Sequence, residues 1–131
     1  MKYQELKREL DANRNDLLTK SGFFASFSQE QFEKNKTPLK EGDKYVDIGG
    51  GCFMPKSNYE AFKISNNALD EAFNSEIKNN NLEEDEILYQ LENHECFYIG
   101  DIDDVVQLFE NRYTKEQILS VYRKNYDKYA D

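Results

Sequence analysis

Three short stretches hold the residue types that do chemistry: Glu92-Asn93-His94-Glu95-Cys96, Asp101-Ile102-Asp103-Asp104 and Gly49-Gly50-Gly51. The first contains the only histidine of the chain. An imidazole beside carboxylates can hold a metal or move a proton near neutral pH. One reading is therefore a small metal- or nucleotide-dependent enzyme centred on His94 and Glu95. Spacing argues against it. There is no His-x-x-x-His pair, and adjacent helical positions diverge by about 100°. A Cys96–His94 dyad meets the same objection, and no serine or cysteine has a base or oxyanion hole placed beside it by the sequence. The aspartates suggest calcium, but the fifth and twelfth positions of such a loop fall on Val105 and Arg112. Helix capping and dipole charge account for all three. The glycines could cradle a phosphate, yet neither a Lys-Ser/Thr nor a G-x-G-x-x-G pattern accompanies them. Cys52-Phe53-Met54 reads as strand, so a hairpin or bulge with positive φ is expected. These considerations favour a protein that is not an enzyme, with no catalytic residue, metal or cofactor.

The strongest signal is electrostatic. Residues 79–111 hold ten acidic side chains and no Lys or Arg, in a chain of net charge −9. A solvated helix ordinarily mixes signs to gain pairs four residues apart, and this run forgoes them at a cost in self-repulsion. The bland explanation is a solubilising surface. The functional one is a negative patch steering onto a basic groove, such as a nucleic-acid channel. Its candidate contact residues are Glu83, Glu84, Asp85, Glu86, Glu92, Glu95, Asp101, Asp103 and Asp104, with Tyr89 and Tyr98 adding contact area. On this reading, charge reversal at Glu83, Glu84 and Glu86 abolishes binding. At the other end of the chain, Lys115, Arg123, Lys124 and Lys128 interleave with Tyr113, Tyr122, Tyr126 and Tyr129. Such a mixture can bind single strands, but direct nucleic-acid binding is disfavoured because the molecule as a whole repels phosphates.

The elements that must position these residues follow from periodicity. Tyr3, Leu6, Leu10 and Leu17 predict a helix over 2–19, stopped by Ser21-Gly22. Strands are expected at 23–27, 44–48 and 52–54. Ser28 with Gln31, Ser57 with Glu60, and Thr114 with Gln117 predict capping boxes. A long helix to about Lys78 carries Tyr59, Phe62, Leu69, Phe73 and Ile77. The acidic run starts with a helix over 82–94 facing inward through Leu88, Leu91 and the Glu84–Ile87 turn. A loop through Tyr98-Ile99-Gly100 follows, then a short helix capped by Asp101 or Asp103, and a last helix to the C-terminus. The prediction is one α+β domain over 1–131: a small antiparallel sheet of about three short strands packed against four to six helices. Nine Tyr and nine Phe point to a ring-built core. The charged first twenty residues are no signal peptide and nothing approaches a membrane span. A cytosolic protein with Cys52 and Cys96 as reduced thiols is expected.

Three stretches, "SGFFASFSQEQFEK" (21–34), "YVDIGGGCFMPKSNYEAF" (45–62) and "YQLENHECFYIGDIDD" (89–104), together resemble a family of small, mostly uncharacterised phage and prophage proteins. The resemblance covers roughly residues 20–105 and transfers no catalytic role. It implies a mobile-element setting in the host bacterial cytosol, where small acidic proteins such as anti-CRISPR proteins block defence. The implied partner is a basic nucleic-acid-binding protein. A CRISPR effector nuclease of type II or type VI-B, alone or in its guide-RNA complex, fits. A phage accessory protein without catalytic role is the remaining alternative.

Overall fold

The computed structural model describes residues 2–128. In chain order they form α1 (Tyr3–Lys20), β1 (Phe24–Ala25), α2 (Gln29–Asn35), β2 (Tyr45–Gly49), β3 (Cys52–Pro55), α3 (Lys56–Asn79), α4 (Glu83–Asn93), α5 (Cys96–Ile99), α6 (Asp103–Leu108) and α7 (Lys115–Asn125), closing on a 3-10 turn at Tyr126–Lys128. This is the expected α+β class with a three-stranded antiparallel sheet. Among the described residues there are seven α-helices, because the stretch expected to loop through Tyr98 is itself a helical turn, α5. Tyr129 lies outside the described residues. The chain gathers into two compact units, one of Gln4–Ser75 and one of Met1–Tyr3 with Glu76–Asp131.

In the first unit the strands run in the order β1-β3-β2. Tyr45 pairs with Pro55 and Asp47 with Phe53, and a bulge falls between Asp47 and Gly49 before Gly49 meets Cys52. Gly50 and Gly51 are the two-residue hairpin turn and Gly49 ends β2, with φ of 101°, 61° and 77° for Gly49, Gly50 and Gly51. Gly51 is the constrained one. A Cβ there would lie 2.7 Å from the Phe27 ring and 2.9 Å from the Ser26 carbonyl oxygen, whose own amide donates to the Gly51 carbonyl at 2.7 Å. The turn binds the backbone of β1's exit, and this close approach is why it is glycine. Four rings, Phe24, Phe32, Tyr45 and Phe53, then meet edge-to-face or stacked at centroid distances of 5.2–5.6 Å. Of the four only Phe24 is buried, and the other buried hydrophobics of this unit are Leu6, Leu10 and Met54, so the rings form a half-buried cluster and not the core expected from the Tyr and Phe content.

Ser28 caps α2 as expected, accepting from the Gln31 amide at 3.1 Å, while the Gln31 side chain accepts from Phe27 rather than from Ser28. The Ser57–Glu60 box does not form. Helix α3 begins at Lys56, two residues before the start a Ser57 cap implies, and Asp43 accepts from both the Ser57 amide and its hydroxyl. Glu60 instead pairs with Lys63. A carboxylate fourteen residues upstream replaces the local cap. Its hydrogen bond from Ser57 holds Asp43 below the usual carboxylate range.

The second unit is built on one apolar cluster: Ile87, Leu91, Cys96, Phe97, Ile102, Val105, Phe109, Ile118 and Val121. Helix α3 ends in a Schellman-type closure. Asn81 takes a left-handed φ of 55°, and the Leu82 amide donates back to Ile77. Four consecutive acidic residues then occupy the first turn of α4, where the helix dipole favours negative charge. Thr114 and Gln117 complete the predicted capping box at α7.

Candidate functional site

The acidic run occupies α4, α5 and α6, all within the second unit. Its ten carboxylates do not share one environment. Glu86 is withdrawn from the surface, only 3% exposed. Arg112 donates to both of its oxygens at 2.9 and 2.6 Å, and the Tyr113 hydroxyl donates to one of them at 2.8 Å. The guanidinium also lies over the Phe109 and Tyr113 rings, 5.6 and 5.2 Å from their centroids. Burial acts against the charge on Arg112, but the Glu86 hydrogen bonds and charge outweigh it and raise its pKa. Burial, then the Glu86 hydrogen bond, push the Tyr113 phenol well above its ordinary range. Glu86 is thus a structural carboxylate and not a contact residue, which corrects its place in the predicted surface. The sign of this burial is visible in the sequence only as a glutamate on the apolar stripe Leu82, Ile87, Leu91, with its counter-charge 26 residues away.

Glu84 pairs with Lys124 of α7 at 2.9 Å, an exposed pair of small energetic weight. Asp101 accepts from the Asp103 amide at 2.8 Å, but the N-cap of α6 is Ile102 and no side chain caps it, so neither Asp101 nor Asp103 takes the expected capping position. Glu83, Asp85, Glu95, Asp103 and Asp104 make no ion pair among the described residues. Glu92 is exposed on the last turn of α4, and Glu83 is half-buried. Tyr89 is half-buried and packs on Tyr3 with centroids 5.3 Å apart, which leaves it a reduced contact role. Tyr98 is 90% exposed, followed by exposed Ile99. Negative charge and an exposed apolar step therefore coincide on α4–α6.

The same geometry bears on the catalytic alternative. His94 terminates α4, its amide donating to Gln90. Glu95 follows in a left-handed conformation, φ 56°. The Cys96 side chain faces the core, fully buried, and burial followed by the Asp104 and Asp101 charges pushes its thiol up. A buried, protonated thiol is a poor nucleophile. The two cysteines are free thiols, Cys52 half-buried on β3. Among the described residues no three His, Cys, Asp or Glu side chains gather closely enough to hold a metal ion, and no helix is long and apolar enough to cross a membrane.

A family model matches residues 5–128, and the chain belongs to that family, DUF7659, a family of unknown function. No curated protein and no solved structure matches it.

Proposed function

We propose that this member of a family of unknown function is a non-enzymatic inhibitor. It binds the basic nucleic-acid-binding surface of a host defence protein, a CRISPR RNA-guided nuclease of type II or type VI-B being the leading target. The observation that carries the reading is the separation of charge in the second unit. Glu86 is spent internally and Glu84 is paired with Lys124, yet among the described residues Glu83, Asp85, Glu95, Asp103 and Asp104 make no ion pair, and Tyr98 of the same run is exposed. Uncompensated carboxylates raise the rate of encounter with a basic groove, and an exposed ring supplies contact area once there. The resemblance to phage and prophage proteins supplies the setting, the host bacterial cytosol.

The test is affinity purification of the tagged protein from host lysate containing its CRISPR effectors, at low and high salt, with and without nuclease treatment. Recovery of one basic nuclease, lost at high salt, is the expected result. The variant that tests the surface is E83K/D85K/D103K. It leaves Glu86 in place, and circular dichroism matching wild type is required before its loss of binding reads on the surface, because Lys in the first turns of α4 and α6 opposes the helix dipole. Full retention of binding by this variant refutes the mechanism.

A further inference from the structure

We propose that the outer edge of β2 is a self-association surface: β2 of a second copy of this chain adds to it antiparallel, joining two three-stranded sheets into one. This edge belongs to the first unit, whereas the acidic run belongs to the second. The Lys56 amide donates to the Lys44 carbonyl at 2.6 Å. Alternation along the antiparallel ladder then turns the backbone of Val46 toward β3, and that of Tyr45 and Asp47 away from it. The central strand agrees. Phe53, opposite Asp47, faces β1, in phase with the Ser26 amide donating to the Gly51 carbonyl. Pro55, which has no N–H to give, stands opposite Tyr45. The N–H and C=O of Tyr45 and Asp47 therefore point out of the sheet, and among the described residues they take no partner. The other edge is closed. There β1 is two residues long, and its outward carbonyl, Ala25, accepts from the Asn35 side chain at 3.1 Å.

Open edges are ordinarily blunted by lysine, proline or an outward charge. Strand β2 holds no Lys or Pro. Its one charged side chain is drawn onto its own strand, Asp47 Oδ1 accepting from the Gly49 amide at 2.8 Å. The strand is also held in place. Tyr45 packs on Phe24 and Phe32 with centroids 5.2 and 5.3 Å apart, and its hydroxyl donates to the Thr37 carbonyl, so pairing has little left to order. Charge then selects the register in which the strand complements itself. A two-fold axis at Val46 sets Tyr45 of each copy opposite Asp47 of the other, as two hydrogen-bonded pairs. Val46 meets its own counterpart at a non-hydrogen-bonded position, where Cα atoms approach to about 4.5 Å and β-branched side chains pair well. Lys44 falls opposite Ile48. Sliding the strands by two residues sets Asp47 opposite Asp47, or Asp47 opposite Asp43, with like charges face to face. Sliding by one residue puts the outward groups out of phase.

Sedimentation equilibrium of the full chain from micromolar to millimolar concentration measures the association, which a contact this small holds weakly. The wild-type mass should climb from that of a monomer toward twice that value. D47N keeps the acceptor for Gly49 and relieves charge, so it should associate at least as tightly. D47P removes an outward N–H that the ladder to β3 does not use, so it should stay monomeric with circular dichroism matching wild type. Oxidation reads the register. In a C52S background, which removes the half-buried native thiol, V46C sets two thiols directly opposite within disulfide reach, whereas the thiols of D47C lie a diagonal apart. The V46C chain should form a covalent dimer at least about tenfold faster than the D47C chain. If D47P alters the dichroism spectrum, this pair of cysteine variants carries the test. A wild-type mass that stays monomeric throughout overturns the proposal. A dimer that V46C traps no faster than D47C overturns it too, because the contact then lies on another surface.

Discussion

Removing the Arg112 side chain is the sharpest test of how this chain manages its acidic run. In R112A the Glu86 carboxylate, 3% exposed, loses two hydrogen bonds from a cation and keeps only Tyr113. Deleting one partner of a fully buried pair costs about 3–5 kcal/mol. The Arg112 side chain is itself 32% exposed, so solvent screens part of the pair and R112A should cost about 2–4 kcal/mol. Y113F removes one hydrogen bond to a charged acceptor and should cost about 1.5–3 kcal/mol. E86Q keeps the shape but removes the charge. In that background R112A should cost at least about 1.5 kcal/mol less than in wild type, a coupling typical of contacting groups. Urea unfolding followed by far-ultraviolet circular dichroism measures the five stabilities, of wild type, R112A, Y113F, E86Q and E86Q/R112A. Because the chain has two compact units, hydrogen exchange over the α4 amides assigns the loss to the right one. A cost for R112A below about 0.5 kcal/mol, or the same cost with and without the Glu86 charge, would refute the argument that Glu86 is a structural carboxylate.

At the hairpin, Gly51→Ala combines left-handed backbone strain of about 1–2 kcal/mol with the close approach to Phe27 and Ser26, so it should lower Tm clearly more than Gly50→Ala, where nothing lies within 4 Å. Alkaline pH should destabilise the second unit. Tyr113 and Cys96 both have folded pKa values raised above their ordinary 10.0 and 9.0, so the folded state holds their protons more tightly. Their contribution is intact below about pH 9 and is lost as pH rises through the folded values. Y113F should flatten the fall of Tm above about pH 10, and an unchanged slope would contradict this. Iodoacetamide should label half-buried Cys52 in the native protein much faster than fully buried Cys96. Mass spectrometry of tryptic peptides resolves the two, and equal rates would place Cys96 outside the core.

What could be read from the sequence was local. Thr114 and Gln117 are three residues apart and need nothing else to cap α7. The three glycines announce a positive-φ turn because few other residues take that backbone, and Gly50 and Gly51 form it. What escaped was set by distant partners. Asp43 displaces the Ser57–Glu60 box from fourteen residues upstream, and no periodicity encodes that. Glu86 reads both as part of the inward Glu84–Ile87 turn and as one more surface carboxylate, and the uniform charge of the run does not choose between them. Only its position on the apolar stripe of α4, and the arginine that ends the run, hint that it turns inward to Arg112. Helix α5 was hidden because four residues carry too little pattern to separate a helical turn from a loop. For the candidate surface, charge was legible and its presentation was not. Tyr89 and Tyr98 look alike in sequence, yet one packs on Tyr3 while the other stands clear of the surface.

The most direct test of the inhibitory reading is displacement. A purified, guide-loaded effector nuclease is bound to labelled target nucleic acid, and wild-type protein or the E83K/D85K/D103K variant is titrated in while anisotropy is followed. The account predicts that the wild type releases the target, with a midpoint that climbs steeply with salt as exposed charges are screened, and that the folded variant does not. Displacement by both proteins alike, or a midpoint indifferent to salt, would contradict the claim that the carboxylates of α4–α6 are what the partner meets.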